Sequence, residues 1–336
     1  MKNFSDIKEE LHTNTAEALE DLKERKARLT SDIEASAKSG DTDDPFDKAV
    51  YDPLSMALAH FFIKIGWSAN AVTLSSLFFG VTGSLFFYPQ NRFLNLIGVL
   101  LEFFAAVLDC SDGQVARLTH TSSEFGRVLD GVVDICNFLS VYIVLALRMS
   151  KEIIPFTDLK WGAYIWPVFF IVALFHAGQA RMADYFRGLH LYFVNNEKTT
   201  AFTNSESIKG EMKKTDNVFH RFVLFVYLIY TGMQEKRTPK MQVLLRSVNK
   251  CGMPDGLPEA YRQESLKYIQ LTNLLTFNLR AYTLYFLILF GLHPWYFPFE
   301  IFVMEAIKVY MVRSYEKAAE KLHRDFFENG QSGAVK

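Results

Sequence analysis

The stretch DCSDGQVARLTHTSSEFGRVLDGVVD, residues 109–134, decides how the chain is read. It holds four carboxylates (Asp109, Asp112, Asp130 and Asp134), the small residues Gly113, Ala116 and Gly126, and Arg117. Apolar runs of membrane length, 93–108 and 128–147, stand on either side. Ionised side chains at such depth cost roughly 2.5–3.5 kcal/mol each on insertion scales, so they demand a compensating cation. A divalent metal ion is the simplest answer.

Spacing supplies the geometry. Asp109 and Asp112 are three apart and Asp130 and Asp134 four apart, so each pair shares a helix face. The first pair ends one apolar helix and the second begins the next, and the connection 113–126 returns the chain so that all four carboxylates meet at one membrane face. Hard carboxylate oxygens suit Mg²⁺ or Mn²⁺, whereas zinc favours His or Cys. Gly113, directly after Asp112, leaves room for a close approach to the backbone. Solvated helix faces are the ordinary explanation of paired Asp residues, but none is available inside apolar spans.

The complete pattern Asp109-x2-Asp112-Gly113-x2-Ala116-Arg117-x8-Gly126-x3-Asp130-x3-Asp134 resembles the signature of the CDP-alcohol phosphotransferase family. Asn70-x2-Thr73 is similar to the family's Pro-Asn-x-x-Thr opening, with Ala69 in place of the Pro. The resemblance covers about 46–187 well and 270–318 loosely. It implies transfer of a phosphoalcohol group from a CDP-alcohol to an acceptor hydroxyl with release of CMP, in a protein that commonly forms homodimers. It also implies metal binding by Asp109, Asp112, Asp130 and Asp134, with Asp134 as general base. Asn70, Thr73, Gly113, Ala116, Arg117, Ser123 and Gly126 are the implied nucleotide and donor contacts; for Asn70 and Thr73, helix capping is the alternative.

Composition agrees with a membrane enzyme. Half of the 336 residues are apolar and 22% charged, yet the mean hydropathy is only +0.06, because apolar spans alternate with charged blocks. The net charge of −1 gives no ground for a nucleic-acid partner. Cys110, Cys136 and Cys251 form no paired spacing, which argues against a disulfide framework or zinc site and for a reducing, cytosol-facing location. The charged start, with no apolar run over 1–38, predicts no cleavable signal peptide.

The expected fold is an all-α integral membrane protein with six transmembrane helices, an N-terminal amphipathic interfacial helix and a cytosolic helical extension. Its segments are a charged helix and linker (1–44), an interfacial helix with the first four spans (45–187), a cytosolic insertion (188–269), two further spans (270–318) and a polar tail (319–336). The spans fall near 70–88, 93–112, 128–147, 162–184, 271–291 and 295–313. Basic residues crowd the 187–267 segment, which puts that segment and the carboxylates on the cytoplasmic side of a bacterial inner membrane or of the endoplasmic reticulum. The apolar run 218–230 is too short to span and is expected to lie in the interface.

The acceptor is the least determined partner. Arg181, Arg280 and Lys308 lie on later spans and form a candidate acceptor-phosphate site. An Arg about ten residues into a span needs a partner: a carboxylate of the ladder, a lipid headgroup or an acceptor phosphate. CDP-diacylglycerol is the favoured donor, and a polar alcohol or polyol phosphate such as inositol phosphate or glycerol phosphate the favoured acceptor. A choline/ethanolamine-type enzyme, with a soluble CDP-alcohol and a lipid acceptor, is the nearest alternative. A transporter or a non-catalytic lipid-binding protein are the alternatives of another class.

Overall fold

The computed structural model describes residues 40–195, 205–215 and 218–329, so the helix expected over 4–36 lies outside the described residues. Among those residues the chain is helical, and the one strand-like pairing is an isolated bridge between Ile153 and Lys160. It packs as two units that divide between Arg148 and Met149, inside the segment expected to hold the first four spans.

Among the described residues the first unit holds α1 (Asp52–Lys64, entered through a π turn at Asp47–Tyr51), α2 (Ala69–Leu85), α3 (Arg92–Leu118) and α4 (Glu124–Met149). Helix α2 starts at Ser68, whose hydroxyl accepts from the Ala71 amide at 3.3 Å. Helix α3 starts at Asn91, whose side chain accepts from the Phe93 and Leu94 amides at 2.9 and 3.2 Å. These bonds satisfy amides that the first turn of a helix leaves without partners.

Helices α2 and α3 cross at two glycines. A β-carbon on Gly98 would lie 2.8 Å from the Gly83 carbonyl oxygen and 2.7 Å from the Phe87 ring. Small residues let backbones approach this closely, which is how helices pack where no hydrophobic force separates protein from lipid. Helix α1 lays Met56, Ala59 and Phe62 inward and leaves Leu54, Phe61 and Ile65 exposed. Its Ser55 carbonyl accepts from the Ser111 hydroxyl of α3 at 3.0 Å.

The second unit contains α5 (Ile165–Asn195), α6 (Ser205–Lys214), α7 (Val218–Arg237), α8 (Pro239–Cys251), α9 (Leu257–Ser265), α10 (Ile269–Leu274), α11 (Phe277–Leu289) and α12 (Glu305–His323). Its core stacks Phe186 of α5 on Tyr315 of α12, and Phe193 on Tyr261, each with ring centroids 4.1 Å apart. The Glu316 carboxylate accepts from the Lys240 and Met241 amides at 2.9 and 3.0 Å, so α12 caps the start of α8.

Among the described residues, three helices are long and apolar enough to cross a membrane: Arg92–Leu118, Glu124–Met149 and Gly162–Val194. Ala69–Leu85 and Phe277–Leu289 are shorter apolar helices. The span expected over 271–291 is interrupted, because the helix breaks between α10 and α11, where Thr276 takes an extended conformation. The apolar run at 218–230 extends into the twenty-residue helix α7, which ends on charged residues. The segment expected as a sixth span is helical from Tyr296 onward, through a π segment at Phe299–Met304 into the charged helix α12.

The glycine crossing makes a direct prediction. Gly98→Ala overpacks the α2–α3 contact, at about 1–3 kcal/mol, and lowers the thermal midpoint in detergent. Gly232→Ala, where a β-carbon would meet nothing within 4 Å, leaves the midpoint unchanged or raises it.

Candidate functional site

Helix α3 carries Asp109 and Asp112 in its last turns, and α4 carries Asp130 and Asp134 in its first turns. The connection closes tightly. The Thr119, His120 and Thr121 amides bond back to the Val115, Arg117 and Ala116 carbonyls at 3.0, 3.2 and 2.9 Å. His120 takes the left-handed conformation (φ 55°) that commonly ends a helix. Ser123 then opens α4, its hydroxyl accepting from the Gly126 amide at 3.0 Å.

One oxygen each from Asp109, Asp112 and Asp130 lies within 4.8 Å of the other two. Oxygens around an octahedral Mg²⁺ stand about 2.1 Å from the ion, hence about 3–4 Å from one another. The trio therefore matches a single small divalent cation with only a slight contraction. The Asp112 carboxyl is buried and its Oδ2 has no hydrogen-bond partner among the described residues, the condition a cation relieves. Asp134, one turn along α4 from Asp130, is exposed and stands outside that trio. Its charge and that of Asp130 both reach Asp112, so all four acids share one neighbourhood.

The remaining signature residues have definite surroundings. A β-carbon on Gly113 would lie 3.2 Å from Nη1 of Arg117, so the glycine makes room for the guanidinium to fold back along α3. Nε of Arg117 is buried without a hydrogen-bond partner among the described residues. Ala116 is half-buried, and its carbonyl holds the connection. Thr73 lies beside the Asp112 carboxylate, and its hydroxyl also donates to the Ala69 carbonyl at 3.0 Å. Asn70 does not cap α2, since Ser68 does. A β-carbon on Gly126 would sit 3.5 Å from the Asn70 side-chain oxygen and 3.2 Å from that of Ser123, so these three converge. Asn70 and Ser123 border a cleft of about 300 Å³ lined also by Trp67, Thr119 and Thr121.

Burial, followed by the charges of Asp47 and Asp43, pushes the Asp52 carboxyl above its ordinary range, against the opposing pull of Lys48 and Arg117. Helix α1 thus brings a further acid into the field of Arg117.

The sequence reading missed Trp67, Thr119 and Thr121, which carry no motif; the hydroxyls within a short interhelical connection were the available signal.

Arg280, Arg181 and Lys308 belong to the second unit. The buried guanidinium of Arg280 forms an ion pair with Glu300, donates to Gln179 at 2.9 Å and contacts Nδ1 of His176 at 2.8 Å. Lys308 pairs with Glu305 at 2.5 Å, and Gln179 donates to Glu305 at 3.3 Å. The partner of Arg280 is therefore a carboxylate of its own unit. Arg181 is half-buried, and its carbonyl accepts from Gln234 at 3.4 Å.

The family model described as CDP-alcohol phosphatidyltransferase matches residues 67–234, half of the chain. The chain belongs to this family. It is 38% identical over 69 residues to a CDP-diacylglycerol–serine O-phosphatidyltransferase of Helicobacter pylori, covering 20% of this chain and 28% of that protein. It is 30% identical over 91 residues to a phosphatidylinositol phosphate synthase of Mycobacterium marinum, covering 27% and 38%. It is 33% identical over 84 residues to an archaetidylinositol phosphate synthase of Pyrococcus horikoshii, covering 25% and 43%. The chain spans less than half the length of the curated relatives it matches.

If the trio is a cation site, Asp112→Asn lowers Mn²⁺ affinity roughly tenfold or more, measured by isothermal titration, while Asp134→Asn changes it far less. Equal losses in the two variants would refute the three-ligand assignment.

Proposed function

We propose that the protein is an integral membrane transferase that moves a phosphatidyl group from CDP-diacylglycerol to the hydroxyl of a polar alcohol and releases CMP. The observation that carries this reading is the convergence of the Asp109, Asp112 and Asp130 oxygens, with the charge of Asp112 acting on Arg117. Phosphoryl-type transfer needs positioning and charge neutralisation more than covalent help from the protein. The Asp109, Asp112 and Asp130 carboxylates would hold a divalent ion, which when bound would supply that charge neutralisation.

The chain's own residues do the rest. Arg117 supports the nucleotide phosphate, with Gly113 and Ala116 keeping the approach open. Asn70, Thr73, Ser123 and Gly126 face the nucleotide. Asp134 takes the proton of the acceptor hydroxyl. The freed oxygen bonds to the phosphorus that bears the lipid alcohol, and the bond from that phosphorus to the bridging oxygen breaks. The electron pair leaves with CMP. The exposure of Asp134 suits this role, since an acceptor must reach it from water; any contact with a second ion would add to it.

The acceptor class is a polyol phosphate, inositol phosphate ahead of glycerol phosphate. Arg181, Arg280 and Lys308 are its candidate ligands by charge. Arg280 and Lys308 already face Glu300 and Glu305, so an acceptor phosphate meets them only in competition with those carboxylates. The enzyme sits as a multi-pass homodimer with its acids at the cytoplasmic face, in keeping with the lysines of the 205–237 segment and the three long apolar helices.

Incubation of purified protein with CDP-diacylglycerol, Mg²⁺ and a panel of polyols and polyol phosphates tests the reading through metal-dependent CMP release and the identity of the lipid product. Asp134→Asn abolishes turnover, by at least about a hundredfold for loss of a general base, while CDP-alcohol binding persists. Near-normal turnover in that variant would remove Asp134 as the base.

A further inference from the structure

The connection that leads from α4 into α5, residues 150–164, is sorted inside out. Its backbone closes on itself: the Ile154 amide donates to the Leu159 carbonyl at 2.8 Å, and the Trp161 amide to the Glu152 carbonyl at 3.0 Å. Its acid is turned inward, where Oε2 of Glu152 stands 2.7 Å from Nε2 of His293 in the turn after α11, both side chains being largely buried. Its apolar side chains are turned outward. Phe156 is 93% exposed and Leu159 68%, and Ile153, Tyr164 and, from the His293 turn, Trp295 are exposed with them. A turn that faces water sorts its residues the other way.

The tip of this connection is held in a costly shape. Phe156 takes φ 65°, a left-handed conformation that glycine adopts freely and a bulky side chain rarely does. The Thr157 hydroxyl donates to the Ile154 carbonyl at 2.9 Å and accepts from the Leu159 amide at 3.2 Å, which fixes the tip. The Phe156 ring leans on Trp295, with centroids 5.9 Å apart, so the two aromatic side chains project together. Backbone strain and apolar exposure therefore fall on the same residue, and burial of that ring in apolar surroundings offsets both.

We propose that this tip is an interfacial anchor seated in the headgroup–acyl boundary of a phospholipid leaflet, with Phe156 and Leu159 entering it; this rests on the integral-membrane reading above. The two helices it joins in the chain, Glu124–Met149 and Gly162–Val194, are both long and apolar enough to cross a bilayer, so a short connection between them emerges at its surface. Aromatic side chains concentrate at that level. Asp158 and Lys160, exposed on the same tip, hold it at the interface and out of the hydrocarbon, where charges are costly. The buried Glu152–His293 contact fastens the anchor to the turn after α11, so both turns of the second unit take their depth from it.

Phe156→Trp and Leu159→Trp, each in the full chain and reconstituted into phosphatidylcholine nanodiscs, test the anchor. The fluorescence that each variant adds over wild type is read against acyl-brominated phosphatidylcholine and against aqueous iodide. Brominated lipid removes most of the added emission at both positions, and iodide removes little. Quenching by iodide and not by brominated lipid puts the tip in water and overturns the anchor. Protection from both quenchers puts it against protein, a second copy or another chain, and overturns it equally. If one variant does not fold and so fails to elute with the nanodisc, the other decides. Wild-type chain that does not enter nanodiscs overturns the integral-membrane reading itself.

Discussion

Three carboxylates drawn within 4.8 Å of one another are the constraint that the first unit is built to sustain. Two like charges about 4 Å apart repel by about 4 kcal/mol at an effective dielectric of 20, and no lysine or arginine forms an ion pair with Asp112 among the described residues. Such a cluster is tolerable when a cation shares it. The tight connection at 119–123 brings the end of α3 and the start of α4 together, so the same turn that creates the repulsion also defines where the compensating charge belongs.

The packing around that turn serves it. Gly83 and Gly98 draw α2 against α3, which puts Thr73 beside Asp112. Ser55 and Ser111 tie α1 to the same helix, and Asp52 comes with it into the field of Arg117. Gly83, Gly98, Ser55 and Ser111 are small or hydroxylated residues where a larger apolar one would hold the helices further apart.

Much of this was legible in the chain. The spacing of Asp109, Asp112 and Asp130 on amphipathic surroundings forecasts their convergence, because helical periodicity converts sequence distance directly into facing. The apolar runs at 93–112, 128–147 and 162–184 fall within the three long apolar helices. The later spans were harder to read. Nothing local marks the break at Thr276, where no Pro or Gly stands, and the continuation of α7 beyond Tyr230 runs through polar residues that a hydropathy window discounts. The pairing of Arg280 with Glu300 joins residues twenty apart across two elements, a contact fixed by tertiary packing and absent from any motif.

The interruption between α10 and α11 gives that arginine a second occupation. Its Nε and Nη2 donate to the Leu275 carbonyl at 3.3 and 3.2 Å, at the point where helical bonding lapses. The guanidinium thus acts as a splint across a fracture in the backbone while balancing a buried acid. Loss of product formation on removing Arg280 would therefore report on the backbone it spans as well as on any acceptor it meets.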